Sequence, residues 1–175
     1  MTVKVLAISG SLRKASFNTL ALRAAASLAP EGMEVTLYDG LRDIPLYDDD
    51  LRAGSGYPAP VAAFRAAIKA ADALLIASPE YNFSVSGVLK NAIDWASRAP
   101  DQPFNGKKAA VLTASNGALG GAFANHHLRQ VLIYLNVFVL PGPEVMVGLS
   151  PSKFQDGRLA DEPTRGVARP VSDPQ

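Results

Sequence analysis

Ser9-Gly10-Ser11-Leu12-Arg13-Lys14-Ala15-Ser16-Phe17-Asn18 is the stretch that decides how this chain is read. An apolar run, Val3 to Ile8, comes before it. A run rich in alanine and leucine, Thr19 to Leu28, comes after. That order is strand, turn, helix. A helix N-terminus offers unpaired backbone N–H groups and the positive end of a dipole, which suits an anion. Three serine hydroxyls, an asparagine amide, an arginine and a lysine crowd the turn and point to a phosphate. An ordinary capped loop would account for one of these polar residues, not all six.

The surrounding chain repeats the pattern. Met33 to Tyr38 alternates as an edge strand, and Val61 to Ala71 has apolar residues at helical spacing. Asp72 to Ser78 reads as a buried strand that stops at Pro79-Glu80-Tyr81-Asn82-Phe83-Ser84. A helix follows over Ser86 to Ser97. Lys107 to Thr113 is a fourth strand, ending in the glycine-rich loop Ser115 to Gly121. Phe123 to Leu135 is helical. A fifth strand starts at Val137 to Leu140, breaks at Pro141 and Pro143, and resumes over Glu144 to Val147. Five strand–helix alternations predict a doubly wound α/β fold with a parallel sheet. In such sheets the ligand lies beyond the C-terminal strand ends, at the point where strand order reverses. The loops after strands one, three and four are the three with unusual chemistry.

Composition narrows the function classes. The 175 residues predict one domain, 48% of them hydrophobic. A net charge of +1 gives no footprint for nucleic acid or a membrane surface. The chain has no cysteine, which excludes a disulfide framework, a thiolate nucleophile and cysteine-bound metal. No basic segment followed by an apolar one opens the chain, and no apolar run approaches the roughly 20 residues needed to span a bilayer. A soluble, cytoplasmic protein is expected. The segment Asp39 to Pro60 reads as a polar loop. Its Asp48-Asp49-Asp50 is better explained by solvation than by metal binding, and Pro45, Leu46 and Tyr47 are expected to pack the loop onto the body.

A phosphate site on the first loop and a flat, partly apolar site on the third describe a mononucleotide. Ser115 and its glycines would let something flat approach the fourth loop. Rival nucleotide motifs are missing: neither Gly-x-x-x-x-Gly-Lys-Ser/Thr nor Gly-x-Gly-x-x-Gly occurs at the first turn. With no evident base–nucleophile pair, a redox cofactor that carries its own chemistry fits.

Gly-Ser-Leu-Arg-Lys-x-Ser-x-Asn at the first turn resembles the signature of the NADPH-dependent FMN reductases, flavodoxin-like quinone and chromate reductases. So does Pro-Glu-Tyr-Asn-x-Ser followed by Gly87 to Trp95. The resemblance covers most of residues 3 to 150. It implies a flavodoxin-like sheet of order 2-1-3-4-5, with FMN as cofactor and NADPH or NADH as donor. It implies Ser9, Ser11, Leu12, Arg13, Ser16, Phe17 and Asn18 around the phosphate. Pro79, Glu80, Tyr81 and Asn82 would lie along the flavin and ribityl, with Ser115 and Gly117 nearby. The implied activity is two-step electron transfer to a small acceptor, a quinone or an electrophile such as chromate or an azo compound, with no protein acid or base required. A non-enzymatic flavin electron carrier or binding module is the alternative. A homodimer or homotetramer is implied.

Two departures stand out. Ser86 replaces the proline usual before Gly87, and a serine there can still cap the helix. Residues 1–165 are expected to form the FMN-binding domain and 166–175 an irregular tail, because Gly166, Pro170 and Pro174 preclude the family's long C-terminal helix. Apolar surface on one sheet face should then be uncovered unless another subunit covers it. Elsewhere, Trp95 and Ile93 are expected in the core, Lys90 and Asp94 as a surface pair, and His126 and His127 on the surface or at an interface. Tyr81 is expected beside the flavin or at an interface rather than in the core.

Overall fold

The computed structural model describes residues 2–167. In chain order the elements are β1 (Val3–Ser9), α1 (Phe17–Ser27), β2 (Met33–Tyr38), a 3-10 turn (Leu41–Asp43), α2 (Asp49–Ser55), α3 (Ala59–Ala70) and β3 (Ala73–Ser78). Then come β4 (Glu80–Tyr81), β5 (Ser84–Val85), α4 (Gly87–Ala96), β6 (Lys108–Ala114), α5 (Ala122–Tyr134), β7 (Phe138–Val139) and β8 (Val145–Val147). α6 (Ser150–Lys153), β9 (Phe154–Gln155), β10 (Arg158–Leu159) and α7 (Glu162–Val167) follow.

The central sheet has the order β2-β1-β3-β6-β7, and every pairing in it is parallel. β7 and β8 both pair with β6, Lys108 opposite Phe138 and Leu112 opposite Val145. They are two pieces of one fifth strand, broken where the prolines stand. The expected flavodoxin-like order 2-1-3-4-5 is the one observed.

Side chains of the inner strands alternate between two cores. Leu6, Ile8, Leu74, Ile76, Ala109 and Val111 face α3, α4 and α5, where Phe64, Trp95 and Leu128 are fully buried. Ala7, Ala77, Leu112 and Ala114 face α1 and the β9–β10 hairpin, against Leu22, Phe154 and Leu159. Beside α1 the second face carries an open apolar groove of about 860 Å³, lined by Val35, Leu75, Ala110, Leu112, Val139 and Val145 among others. Nothing among the described residues fills it. The last described helix, α7, runs six residues and includes Gly166. The rest of the expected tail, 168–175, lies outside the described residues.

The segment read as a polar loop is more ordered than its composition implied. Asp48 caps α2, its Oδ1 accepting from the N–H groups of Asp50 (2.9 Å) and Leu51 (3.3 Å). Asp49 and Asp50 occupy the first turn, where the helix dipole favours carboxylates. Arg52 donates to Asp49 and, with the Tyr47 hydroxyl, holds that carboxyl below the usual range. The three aspartates thus open a helix. Pro45 and Tyr47 do anchor the segment: Pro45 O accepts from Trp95 Nε1 at 2.9 Å, and the Tyr47 ring meets Trp95 edge-on. Leu46 is exposed instead. Lys90 and Asp94 pair as expected, at 2.6 Å.

Candidate active site

Parallel pairing in register brings the ends of β1, β3 and β6 to one edge: Ser9 stands opposite Ala77, and Ser78 opposite Thr113. The loops that leave this edge are joined by side chains. Gly10 N–H donates to Ala77 O at 2.7 Å. The Ser86 hydroxyl, buried at the start of α4, donates to Gly10 O at 2.6 Å and accepts from Leu89 N–H at 3.3 Å. Ser86 therefore caps its helix as expected and also fastens the first loop to the third. Gly10 is required here, because a Cβ would stand 2.9 Å from Ser86 Oγ and 3.2 Å from Ala77 O.

The first loop closes on α1. Ser16 is the N-cap, its hydroxyl accepting from Thr19 N–H. The N–H groups of Phe17 and Asn18 find no acceptor among the described residues. Ser9 Oγ lies 2.7 Å from Thr19 Oγ1, and Ser11 Oγ accepts from Arg13 N–H at 3.4 Å. Arg13 is exposed, its guanidinium 5.3 Å from the Phe17 ring centroid. Leu12 O accepts from Arg42 at 2.8 Å. Hydroxyls, free N–H groups and a guanidinium around one helix start fit an anion.

Asn18 is placed differently from the expectation. It is buried, its Nδ2 donating to Ala114 O and its Oδ1 accepting from Ala114 N–H, both at 2.9 Å. Its side chain bolts the first loop to the end of β6, and its backbone N–H is what it can offer an anion.

The stretch Pro79–Ser84 reads as a loop in sequence but folds as a hairpin, β4 antiparallel to β5. Asn82 and Phe83 form its two-residue turn, with φ of 51° and 62°. Pro79 is buried and Tyr81 is 57% exposed, which removes the core reading of Tyr81. Glu80 turns toward α5: its Oε2 accepts from Ala124 N–H at 3.0 Å, a carboxylate at a helix N-terminus. His127 is exposed, its Nδ1 3.2 Å from Ser84 Oγ.

In the fourth loop only part of the glycine run is free. A Cβ at Gly120, whose φ is +63°, would meet Met146 C at 2.7 Å, so this glycine serves packing within the chain. Gly117 has open space, with Ser115 Oγ as its one near neighbour at 3.7 Å. The sequence reading singled out neither Thr19 nor Arg42, whose side chains meet the first loop. Thr19 lies in the first turn of α1, in plain view, but its hydroxyl partner could only be found in three dimensions.

An open sheet edge, a polar helix start and a flat-sided hairpin define a mononucleotide-binding protein of the flavodoxin-like class. Residues 3–151 match the family model described as NADPH-dependent FMN reductase, and the chain belongs to that family. It is therefore an FMN-dependent oxidoreductase with a reduced nicotinamide dinucleotide as donor. An NAD(P)H-dependent FMN reductase of Pseudomonas aeruginosa is 54% identical over 164 residues, 93% of this chain and 88% of that one. A quinone reductase of Escherichia coli K12 is 46% identical, over 93% of this chain and 87% of that one. The solved structure of the flavoenzyme NAD(P)H:(acceptor) oxidoreductase from Paracoccus denitrificans superposes with a TM-score of 0.84 at 34% identity, covering 95% of this chain and 93% of that one. No helix among the described residues is long and apolar enough to cross a membrane.

Proposed function

We propose that the chain reduces quinones with electrons from NADPH or NADH, the two substrates using one pocket in turn. The carrying observation is the joined edge: three loops fastened by Gly10, Ser86 and Asn18, with unpaired N–H groups at the start of α1. The identity to a quinone reductase supports the choice of acceptor. Chromate, azo compounds and other small electrophiles are further acceptors of this reading.

FMN, when bound, supplies the centre that takes hydride from the nicotinamide and yields electrons to the acceptor. Ser9, Ser11, Arg13, Ser16 and the N–H groups of Phe17 and Asn18 would hold its phosphate, with Leu12 as apolar cover. Pro79, Glu80, Tyr81 and Asn82 would border the flavin and ribityl, and Ser115 and Gly117 would close the far side. The open space at Gly117 and the free N–H groups fit that group. The protein's work is to bind, orient and exclude water, with no side chain required as acid or base. Residues 1–165 form the binding unit, and the assembly is a homodimer or homotetramer.

The test is the absorbance spectrum of the purified protein, then anaerobic titration with NADPH and addition of a quinone. Flavin bands that bleach with NADPH and return with quinone are expected. A colourless protein that binds no added FMN and oxidises no NAD(P)H with quinone would end this reading. Bound FMN that NADPH cannot reduce would make the protein an electron carrier.

A further inference from the structure

The β4–β5 turn carries a residue that its backbone does not favour. A two-residue hairpin loop with positive φ at both positions is the type I′ turn, whose usual residues are Asn-Gly. Asn82 conforms. At the next position, where φ is 62°, stands Phe83. A bulky side chain in the left-handed region is strained where glycine would be relaxed. Burial does not offset that strain, since Phe83 is 64% exposed. Its ring packs on Phe123, itself 41% exposed, with centroids 4.5 Å apart and planes at 57°. Strained, exposed side chains held firmly in place concentrate at functional sites.

The pair is also held rigidly. Phe83 sits on a hairpin and Phe123 in the first turn of α5. The Glu80–Ala124 hydrogen bond and the His127–Ser84 contact join those two elements. The two rings are flanked in the chain by uncharged residues, Asn82 and Ser84, Ala122 and Ala124, while the Glu80 carboxylate stands at Ala124 N–H and the exposed His126 and His127 follow in α5. Tyr81, also exposed, lies on the same hairpin, at the edge where the candidate site opens.

We infer that Phe83 and Phe123 form the stacking wall for a planar, uncharged ring, that of the quinone acceptor, and so set acceptor specificity. This rests on the oxidoreductase reading above. An aromatic pair with a carboxylate beside it suits a neutral quinone ring better than the phosphates of a dinucleotide, and aromatic pairs prefer tilted or offset contact with a flat partner.

The test compares FMN-loaded wild type with Phe83→Gly, Phe83→Tyr and Phe123→Ala. Xanthone, planar and redox-inert, is titrated against each and followed by perturbation of the flavin spectrum. Turnover is measured with menadione and with ferricyanide, which needs no stacking. In Phe83→Gly, xanthone should bind about tenfold more weakly, and the menadione-to-ferricyanide ratio of kcat/KM should fall about tenfold. Its Tm should hold or rise, because glycine relaxes the turn. Phe83→Tyr should keep both properties, and Phe123→Ala should resemble Phe83→Gly.

Xanthone affinity in Phe83→Gly within twofold of wild type overturns the inference. A raised KM for NADPH with an unchanged menadione ratio also overturns it and gives the wall to the donor ring. Dissociation of an oligomer by either truncation overturns it in favour of a subunit contact. Wild type that reduces menadione with NADPH in any of these cases leaves the parent reading standing. Wild type that binds no FMN overturns both.

Discussion

Replacing Asn18 by alanine should separate the first loop from the end of β6. Asn18 is 3% exposed, and its side chain makes two hydrogen bonds of 2.9 Å with the backbone of Ala114, which is itself 3% exposed. Alanine would leave a buried N–H and a buried C=O unpaired. Each such group costs about 1–3 kcal/mol, less whatever a water admitted to the gap restores. A loss of about 3 kcal/mol is expected, which lowers Tm by roughly 6–12 °C in a domain of this size. Differential scanning calorimetry of the FMN-free protein measures this without any contribution from cofactor. FMN affinity should fall too, because the N–H groups of Phe17 and Asn18 would no longer be held. Asn18→Asp should lie between the two proteins: it keeps an acceptor for Ala114 N–H but sets a carboxylate oxygen against Ala114 O. A Tm for Asn18→Ala within 2 °C of wild type would refute the reasoning, since it would mean that the pair of bonds carries no net stability.

Arg13→Ala should weaken FMN binding by about 1.5–3 kcal/mol, tenfold or more in the dissociation constant by fluorescence titration; Lys14→Ala should change it far less. Equal affinities in wild type and Arg13→Ala would mean the phosphate lies elsewhere. Gly10→Ala should destabilise by about 1–3 kcal/mol in urea unfolding, because the new methyl would press on Ser86 Oγ and Leu89 Cβ, at 2.9 and 3.0 Å; an unchanged midpoint would show that the contact relaxes freely. Hydrogen bonds from Thr164, with help from Lys153, hold the Asp161 carboxyl below its usual range. That stabilisation of α7 is complete above the ordinary aspartate pKa of about 4 and is lost as pH falls through the lowered value. Hydrogen-exchange protection of α7 should drop at that point before the sheet opens, and Asp161→Asn should remove the pH dependence.

Much of the architecture was legible because it rests on local signals. Apolar runs gave the strands, and Pro30 and Gly32 stopped α1. The break at Pro141 and Pro143 located the split in the fifth strand, since proline cannot extend a ladder. The errors have a common source in short polar segments. Asp48-Asp49-Asp50 reads as loop by composition, yet a capping aspartate with acids in the first turn is a helix signal. Pro79–Ser84 reads as loop because strands of two residues have no period to detect. In the site, residue type was legible and direction was not. Ser16 caps α1 and Arg13 is exposed beside it, while of the fourth-loop glycines Gly117 has open space and Gly120 is packed against Met146. Glu80 and Asn18, polar residues in a polar loop, turn away to pair with Ala124 and Ala114, partners 44 and 96 residues distant.

Those two residues and Ser86 share one geometry, and it supports the proposal that this edge holds the cofactor. A parallel sheet fixes its strands through the ladder, but the ladder stops at Ser9, Ser78 and Ala114. Beyond those points each loop is free unless something crosses between them. Ser86 joins the first loop to α4, Asn18 joins α1 to the end of β6, and Glu80 joins the β4–β5 hairpin to α5. Each crossing uses a side chain on one loop and a backbone group on the other, so it positions main chain rather than another mobile side chain. The N–H groups left over at Phe17 and Asn18 are therefore fixed before any ligand arrives. Ordering them in advance removes an entropic cost from binding. Ser86 also shows why serine is more than a tolerated replacement for proline at the start of α4: proline could begin the helix but could not donate to Gly10 O.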